Sequence, residues 1–390
     1  MKQLLYLIML TMCIPVFAQE TETLIKNSDD SEYITIPLNI SFFPGFSIGE
    51  SVAQGKKIKN NISINLLAGS AAKLEGVEWG GLVNIYTEDV LGAQWAGLLN
   101  ITGTDVTGGQ WAGLCNISGG DVLGGQWAGL CNVSGGTFVG GQWAGLCNVN
   151  GGDVTAGQWA GIANVNGGEV VGGQWAGIAN VQKSFTGAQW AGIANITEEF
   201  EGVQFAGIIN LTEKFKAGVQ VATVNISDEN EGIPIGLVSY VKSVGFHYDL
   251  WTDETMFINA GLRSGTESFH NLLFIGIQAK DTLRYTMGVA FGGHISLGED
   301  FYLEPDLGWH YIKEESDIFW SETSDNLVRI RLLAGWQVAE FMSLYAGPTF
   351  NYYISKYRDG EDLFSSSISD GKSGKYWTRS WIGFSAGVRF

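Results

Sequence analysis

The sequence predicts an all-β chain: a β-solenoid built from a 16-residue repeat, joined to a C-terminal antiparallel β-barrel of about eight strands. Three observations predict it. One phrase recurs at near-fixed spacing through the middle of the chain, the C-terminal third alternates apolar and polar residues over long runs, and glycine is too abundant for helix. The 390 residues include 55 Gly and 14 Trp, and 12% are aromatic. A disordered chain lacks such apolar surface. The net charge of −18 argues against a phosphate backbone as partner, so no nucleic acid is expected.

The first element is a leader. Lys2 precedes the apolar run Leu4–Phe17, and Val16-Phe17-Ala18 offers a small residue before Gln19, the pattern of a cleaved secretory signal over 1–18. A lipoprotein signal at Cys13 is the alternative, but Met12 stands where a small residue belongs. Residues 19–60 form an N-terminal segment with a candidate strand at Tyr33–Phe43.

The repeat region spans 61–241. Its phrase, GGQWAGLCNISGGDVL, places Trp at 79, 95, 111, 127, 143, 159, 175 and 190. The first six steps are 16 residues and the last is 15. Phe205 and Val221 continue the series as degraded copies, Ile235 is a last remnant, and Ser63–Gly69 is an opening copy. Within one unit, Trp127, Cys131 and Val133 point to one side of a strand, and Gln126, Leu130 and Asn132 to the other. Ser134-Gly135-Gly136 is a turn, and Phe138 or its equivalent opens a second short strand. Two strands and two turns per 16 residues suit one coil of a narrow solenoid, in which parallel stacking lines up Gln and Asn as amide ladders at about 4.8 Å. A meander of membrane-crossing hairpins is the competing geometry, and the absence of a 32-residue super-period in the turns favours the solenoid.

Chemistry in the repeat is sparse. Cys115, Cys131 and Cys147 fit no zinc or disulfide spacing, and Ala163, Ala179 and Ala194 replace them in later units, so they read as small packing residues. Asp105, Asp121, Asp153 and Glu169 form an acidic column interrupted by Thr137 and Ser184. A calcium ladder is the sharp reading of that column and a solvated acidic edge the plainer one, so no metal and no cofactor is assigned. The segment between Lys73 and Lys183 has no Lys or Arg. The column Trp95, Trp111, Trp127, Trp143, Trp159, Trp175 and Trp190 is a candidate interaction face, because a row of exposed indoles is a large apolar patch.

The barrel region is 242–390. Tyr285, Met287, Val289 and Phe291 alternate with Arg284, Thr286 and Ala290, and Phe301, Leu303, Leu307 and Trp309 alternate with Glu304, Asp306 and His310. Ile330, Leu332 and Trp336 oppose Arg329 and Arg331; Leu344, Phe350 and Tyr352 oppose Ser343, Thr349 and Asn351; Ile382, Phe384 and Val388 oppose Ser385 and Arg389. Three weaker strands at 244–252, 256–263 and 271–279 make eight. Such strands, ending in Phe390, resemble those of bacterial outer-membrane barrels, whose terminal aromatic belongs to the insertion signal. Arg284, Glu304, Asp306, Arg329, Arg331 and Arg389, with His294 and His310 on the same faces, then form a polar network inside the barrel, since buried charges need partners. No nucleophile motif accompanies them, so an enzyme is not expected.

Turn lengths set orientation. Gly298–Asp300 and Ala339–Phe341 are short, whereas 313–326 and 355–378 are long, and such barrels keep short turns in the periplasm. Eight strands ending inside place the repeats in the periplasm; if Tyr33–Phe43 were the first barrel strand and a weak candidate dropped out, the repeats would face outward.

The phrases NLLAG (65–69), GLVNI (81–85), the reiterated GGQWAGLCNV, IGLVSYV (235–241), INAGLR (258–263), YAGP (345–348) and FSAGVRF (384–390) together resemble a family of bacterial surface repeat-containing proteins over about residues 60–390. The resemblance implies export and an outer-membrane or surface location, and no activity. Trp after each Gln departs from the aliphatic residues common in similar proteins. The sequence therefore points to an outer-membrane-anchored repeat protein with a structural or adhesion-like role, a small pore being the alternative. Its expected partners are outer-membrane lipid, the barrel-assembly machinery and a surface or periplasmic ligand of unknown identity.

Overall fold

The computed structural model describes residues 32–279, 283–314, 325–357, 359–361 and 363–390. The expected signal over 1–18, with Cys13, lies outside them. Among the described residues strands dominate, with one short helix at Ile48–Val52, and the repeats wind a β-solenoid of about 11 coils. The chain divides into two compact units, Met1–Gln158 and Trp159–Phe390.

In the first unit each coil has a longer and a shorter strand, such as Val122–Ala128 and Cys131–Ser134. Neighbouring coils pair in parallel and in register, so that Gln126 lies beside Gln110 and Trp127 beside Trp111. The core is thin and polar. Val90, Val106, Val122 and Phe138 are buried with Gln94, Gln110, Gln126, Asn100, Asn116 and Asn132, all essentially inaccessible. Buried amides cost free energy unless paired, and here each is paired with its own copy one coil away. Gly124, at φ 148°, holds a backbone shape open to glycine, and a Cβ there would lie 1.8 Å from the Gly108 oxygen. At Gly124 the backbone of the neighbouring coil therefore approaches too closely for a side chain.

Two expectations are corrected. Tyr33–Phe43 is not a barrel strand: it pairs in parallel with Lys57–Asn65 and starts the solenoid, burying Ile36 against Ala53 and Ile58. Leu130 does not share the inward side of Gln126 and Asn132; it is 38% exposed, because Gly129 turns the chain at the corner and breaks the two-residue alternation.

The second unit holds further coils and a C-terminal antiparallel sheet. Its long strands are His247–Asp253, Ile258–Gly265, Phe269–Ala279, Leu283–Gly293, Phe301–Glu314, Asp325–Ala339, Met342–Ser355 and Tyr376–Arg389. Each pairs with the next, and His247–Asp253 also pairs with Tyr376–Arg389, so the hydrogen-bonded path returns to its start. Alternation follows the sequence pattern: Glu304, Asp306, Arg329 and Arg331 are buried, while Leu307, Trp309, Ile330 and Leu332 are about half exposed. Inside, Trp251, Leu272, Phe274, Ala290, Leu333 and Tyr345 form one cluster, and Met256, Ile312, Leu327, Tyr353, Leu363 and Trp381 another.

Candidate functional site

Two features carry candidate function, the solenoid surface and the interior of the C-terminal sheet. On the solenoid of the first unit, Trp79, Trp95, Trp111, Trp127 and Trp143 stack nearly parallel, with ring centroids 4.9–5.7 Å apart. Register imposes this, since identical residues recur at the strand spacing. The rings of Trp111, Trp127 and Trp143 lie over glycines two residues upstream: a Cβ on Gly125 would meet the Trp127 ring at 2.2 Å. In the second unit Trp159, Trp175 and Trp190 stack the same way and Phe205 follows. Each column presents partly exposed edges of stacked indoles.

Two amide ladders support these columns from inside. Asn100 donates to Asn116, Asn116 to Asn132 and Asn132 to Asn148, at 2.9–3.0 Å. Each Asn also donates to the carbonyl of a Trp in the next coil, as Asn116 does to Trp127 at 2.9 Å. Gln ladders run the other way: Gln126 donates to Gln110 and Gln110 to Gln94, both at 2.8 Å. The Gln ladder ends on a carboxylate. Glu78 occupies the Gln position of its coil and accepts from Gln94, Asn65 and Tyr86. Burial raises its pKa despite those donors.

The acidic column acts on backbone. Asp105 accepts from the amide of Asp121, and Asp121 from that of Thr137. Among the described residues no group of three His, Cys, Asp or Glu has metal-ligating geometry. The in-register Cys131 and Cys147 bring their sulfurs to 2.8 Å.

In the second unit the interior charges meet as ion pairs. Glu304 is wholly buried and takes Arg263 at 2.6 Å, Arg389 at 2.7 Å and His294 at 2.7 Å. Arg389 reaches Asp249 as well, at 2.8 Å. Arg331 pairs with Asp306 at 2.8 Å, and Arg329 with Asp253 at 2.6 Å and Glu254 at 3.1 Å. Arg284 is buried as well, and His310 packs its ring against Phe274. Sequence reasoning missed Asp249, Asp253, Glu254 and Arg263. Asp249, Asp253 and Arg263 lie on short strands of mixed polarity and Glu254 in the turn that follows, although Asp249, Trp251 and Asp253 do share one face by alternation. A cavity of about 640 Å³ opens at the end where Arg389 and Phe390 lie, lined by His247, Arg263, His270, His294 and Tyr302 among others. Phe390 continues the ladder by exchanging backbone hydrogen bonds with Tyr248.

The last coil seats on the outer face of this sheet. Ser264 and Asn271 are register partners, one residue along from the inward Arg263 and His270. Ser264 accepts from the Ser239 amide, while Asn271 accepts from the Gly236 amide and donates to Pro234. Against known proteins, the chain matches no family model, no curated protein and no solved structure.

Proposed function

We propose that this chain is an outer-membrane-anchored repeat protein with a structural or interaction role and no catalysis, its C-terminal sheet being an eight-stranded membrane barrel. The observation that carries the reading is inverted polarity on a ladder that returns to its first strand. Charged pairs fill the inside and Leu, Ile, Trp and Phe cover the outside. Only a closed ladder satisfies every backbone group in lipid, and an apolar outer band is what such a barrel presents there. Interior ion pairs and aromatics support an anchor over a pore, since a small barrel is filled by side chains.

The turns at 265–269, 297–301 and 339–342 are short and lie at the end that carries Phe390. By the rule for such barrels this end is periplasmic. The last coil docks one residue from the 265–269 turn, so the reading places the repeats in the periplasm. Outer-membrane lipid and the barrel-assembly machinery are the partners of the barrel, with Phe390 as part of the insertion signal. A periplasmic ligand is the proposed use of the Trp column of the first unit. The test is a cysteine at Asp121 in a background lacking Cys115, Cys131 and Cys147. A membrane-impermeant thiol reagent should label it only after the outer membrane is permeabilised. Labelling in intact cells overturns the periplasmic placement, and recovery of the protein in the soluble fraction overturns the anchor.

A further inference from the structure

The coils nearest the barrel are divided into two edges. Between 159 and 241 the formal charges, such as Glu169, Lys183, Glu198 and Glu199, recur at one stretch of each coil, within its strands, and Glu169, Lys183 and Glu199 are exposed. The segments 174–182, 189–197, 204–212 and 220–227, which round the opposite edge, contain none. That edge instead shows Ile178, Ile193 and Ile208, each about half exposed, with Trp175 beside them. The amides are turned inward and linked coil to coil: Asn180 donates to Asn195 and Asn195 to Asn210, while Gln204 donates to Gln189. The core of these coils therefore holds amides beside Phe185, Phe200 and Phe215, while the isoleucines stand outside it.

Position supplies the occupant. The last coil sits on Ser264 and Asn271, outward residues of the sheet, beside its short-turn end. The preceding coils stack on its far side, in register, so the column leaves from the wall itself. Whatever medium covers that wall covers the first coils too.

We infer that the uncharged Ile and Trp edge of these coils docks into the hydrocarbon of the bilayer leaflet beside the barrel, with the charged edge in water. The inference rests on the barrel reading and specifies what the apolar face binds. An uncharged edge bearing indoles suits that boundary, where amphipathic rings settle at headgroup level and apolar groups go deeper. A second copy of the chain is the other occupant of such a face.

The test uses the full chain in phosphatidylcholine and phosphatidylglycerol vesicles carrying acyl-chain nitroxides. Single fluorescent cysteine labels replace Ile193, Glu199 or, on the barrel wall, Leu332, in the background without native cysteines. The expected result is strong quenching at Leu332 and at least roughly twofold stronger quenching at Ile193 than at Glu199, as burial about 5–10 Å into the boundary requires. Quenching at Leu332 with equal quenching at Ile193 and Glu199 overturns this inference and leaves the barrel standing. So does Ile193 self-quenching that rises with protein-to-lipid ratio, which assigns the edge to a second copy. No quenching at Leu332 removes the barrel reading, and this inference with it.

Discussion

Asn132→Leu should loosen the solenoid around its own coil. The side chains are similar in size, so packing volume is conserved while hydrogen bonds are lost. Asn132 donates to Asn148 at 3.0 Å, to the Trp143 carbonyl at 2.9 Å and to the Gln126 carbonyl at 3.3 Å, and it accepts from Asn116 at 3.0 Å. The 3.3 Å contact shares a proton and counts for little. Three good bonds at about 1 kcal/mol each, with a further ~1–2 kcal/mol for partners left desolvated, are offset by ~1–2 kcal/mol from burying the leucine. The net loss is roughly 3 kcal/mol, which corresponds to about 150-fold faster hydrogen exchange where opening is local. The assay is hydrogen–deuterium exchange by mass spectrometry on the full-length protein in detergent, following peptides from 116 to 148. Because each coil contacts only its neighbours, protection should fall there and recover within a few coils. Leu130→Ser, at the exposed corner, is the control and should shift stability by no more than about 0.5 kcal/mol. Exchange at 116–148 within about threefold of the parent would refute the claim that the amide ladder holds the coils together.

Other outcomes follow from the same structure. Glu304→Gln leaves Arg263 and Arg389 sharing fewer carboxylates in a buried site, and should cost about 3–5 kcal/mol, read as loss of the compact heat-modifiable band in gel electrophoresis. Glu78 has a raised pKa, so its contribution is fully present below its ordinary value of 4.5 and is lost as pH rises through the folded value. Protection in peptides around 78–95, after division by the intrinsic exchange rate at each pH, should therefore rise on acidification from neutral pH, and Glu78→Gln should flatten that dependence; an unchanged slope would contradict the assignment. Cys131 is in register with both Cys115 and Cys147, but its sulfur lies 2.8 Å from that of Cys147, so mild oxidation should join Cys131 to Cys147 and leave Cys115 open to alkylation. Peptide mapping that finds Cys115 in the crosslink would count against it. Deleting Phe390 removes two backbone hydrogen bonds to Tyr248 and the terminal aromatic, and should lower the fraction assembled in the outer membrane several-fold in a fractionation assay.

Much of the architecture is legible in the sequence, for identifiable reasons. A fixed period with no helical alternative forces stacked coils, and once copies stack in register, Gln126 must meet Gln110 and Trp127 must meet Trp111. Alternation over long strands likewise placed Glu304, Asp306, Arg329 and Arg331 on the inward face, since side chains of a strand leave it on opposite sides. Where the backbone departs from alternation the pattern fails, as at the Gly129 corner that turns Leu130 outward.

Tertiary structure alone decided three things. It gave Tyr33–Phe43 to the solenoid, because parallel pairing with Lys57–Asn65 depends on which edge is free and not on the strand's own composition. It chose the partners of the charges: Arg389 takes both Asp249 and Glu304, residues 140 and 85 positions away. It also placed the last coil on Ser264 and Asn271, through hydrogen bonds between backbone and side chains that no periodicity records. By itself the sequence determined the repeating element and the polarity of each face, because both are set by local spacing. Partners distant along the chain follow from which edges and faces the fold leaves open, and only the assembled structure contains that information.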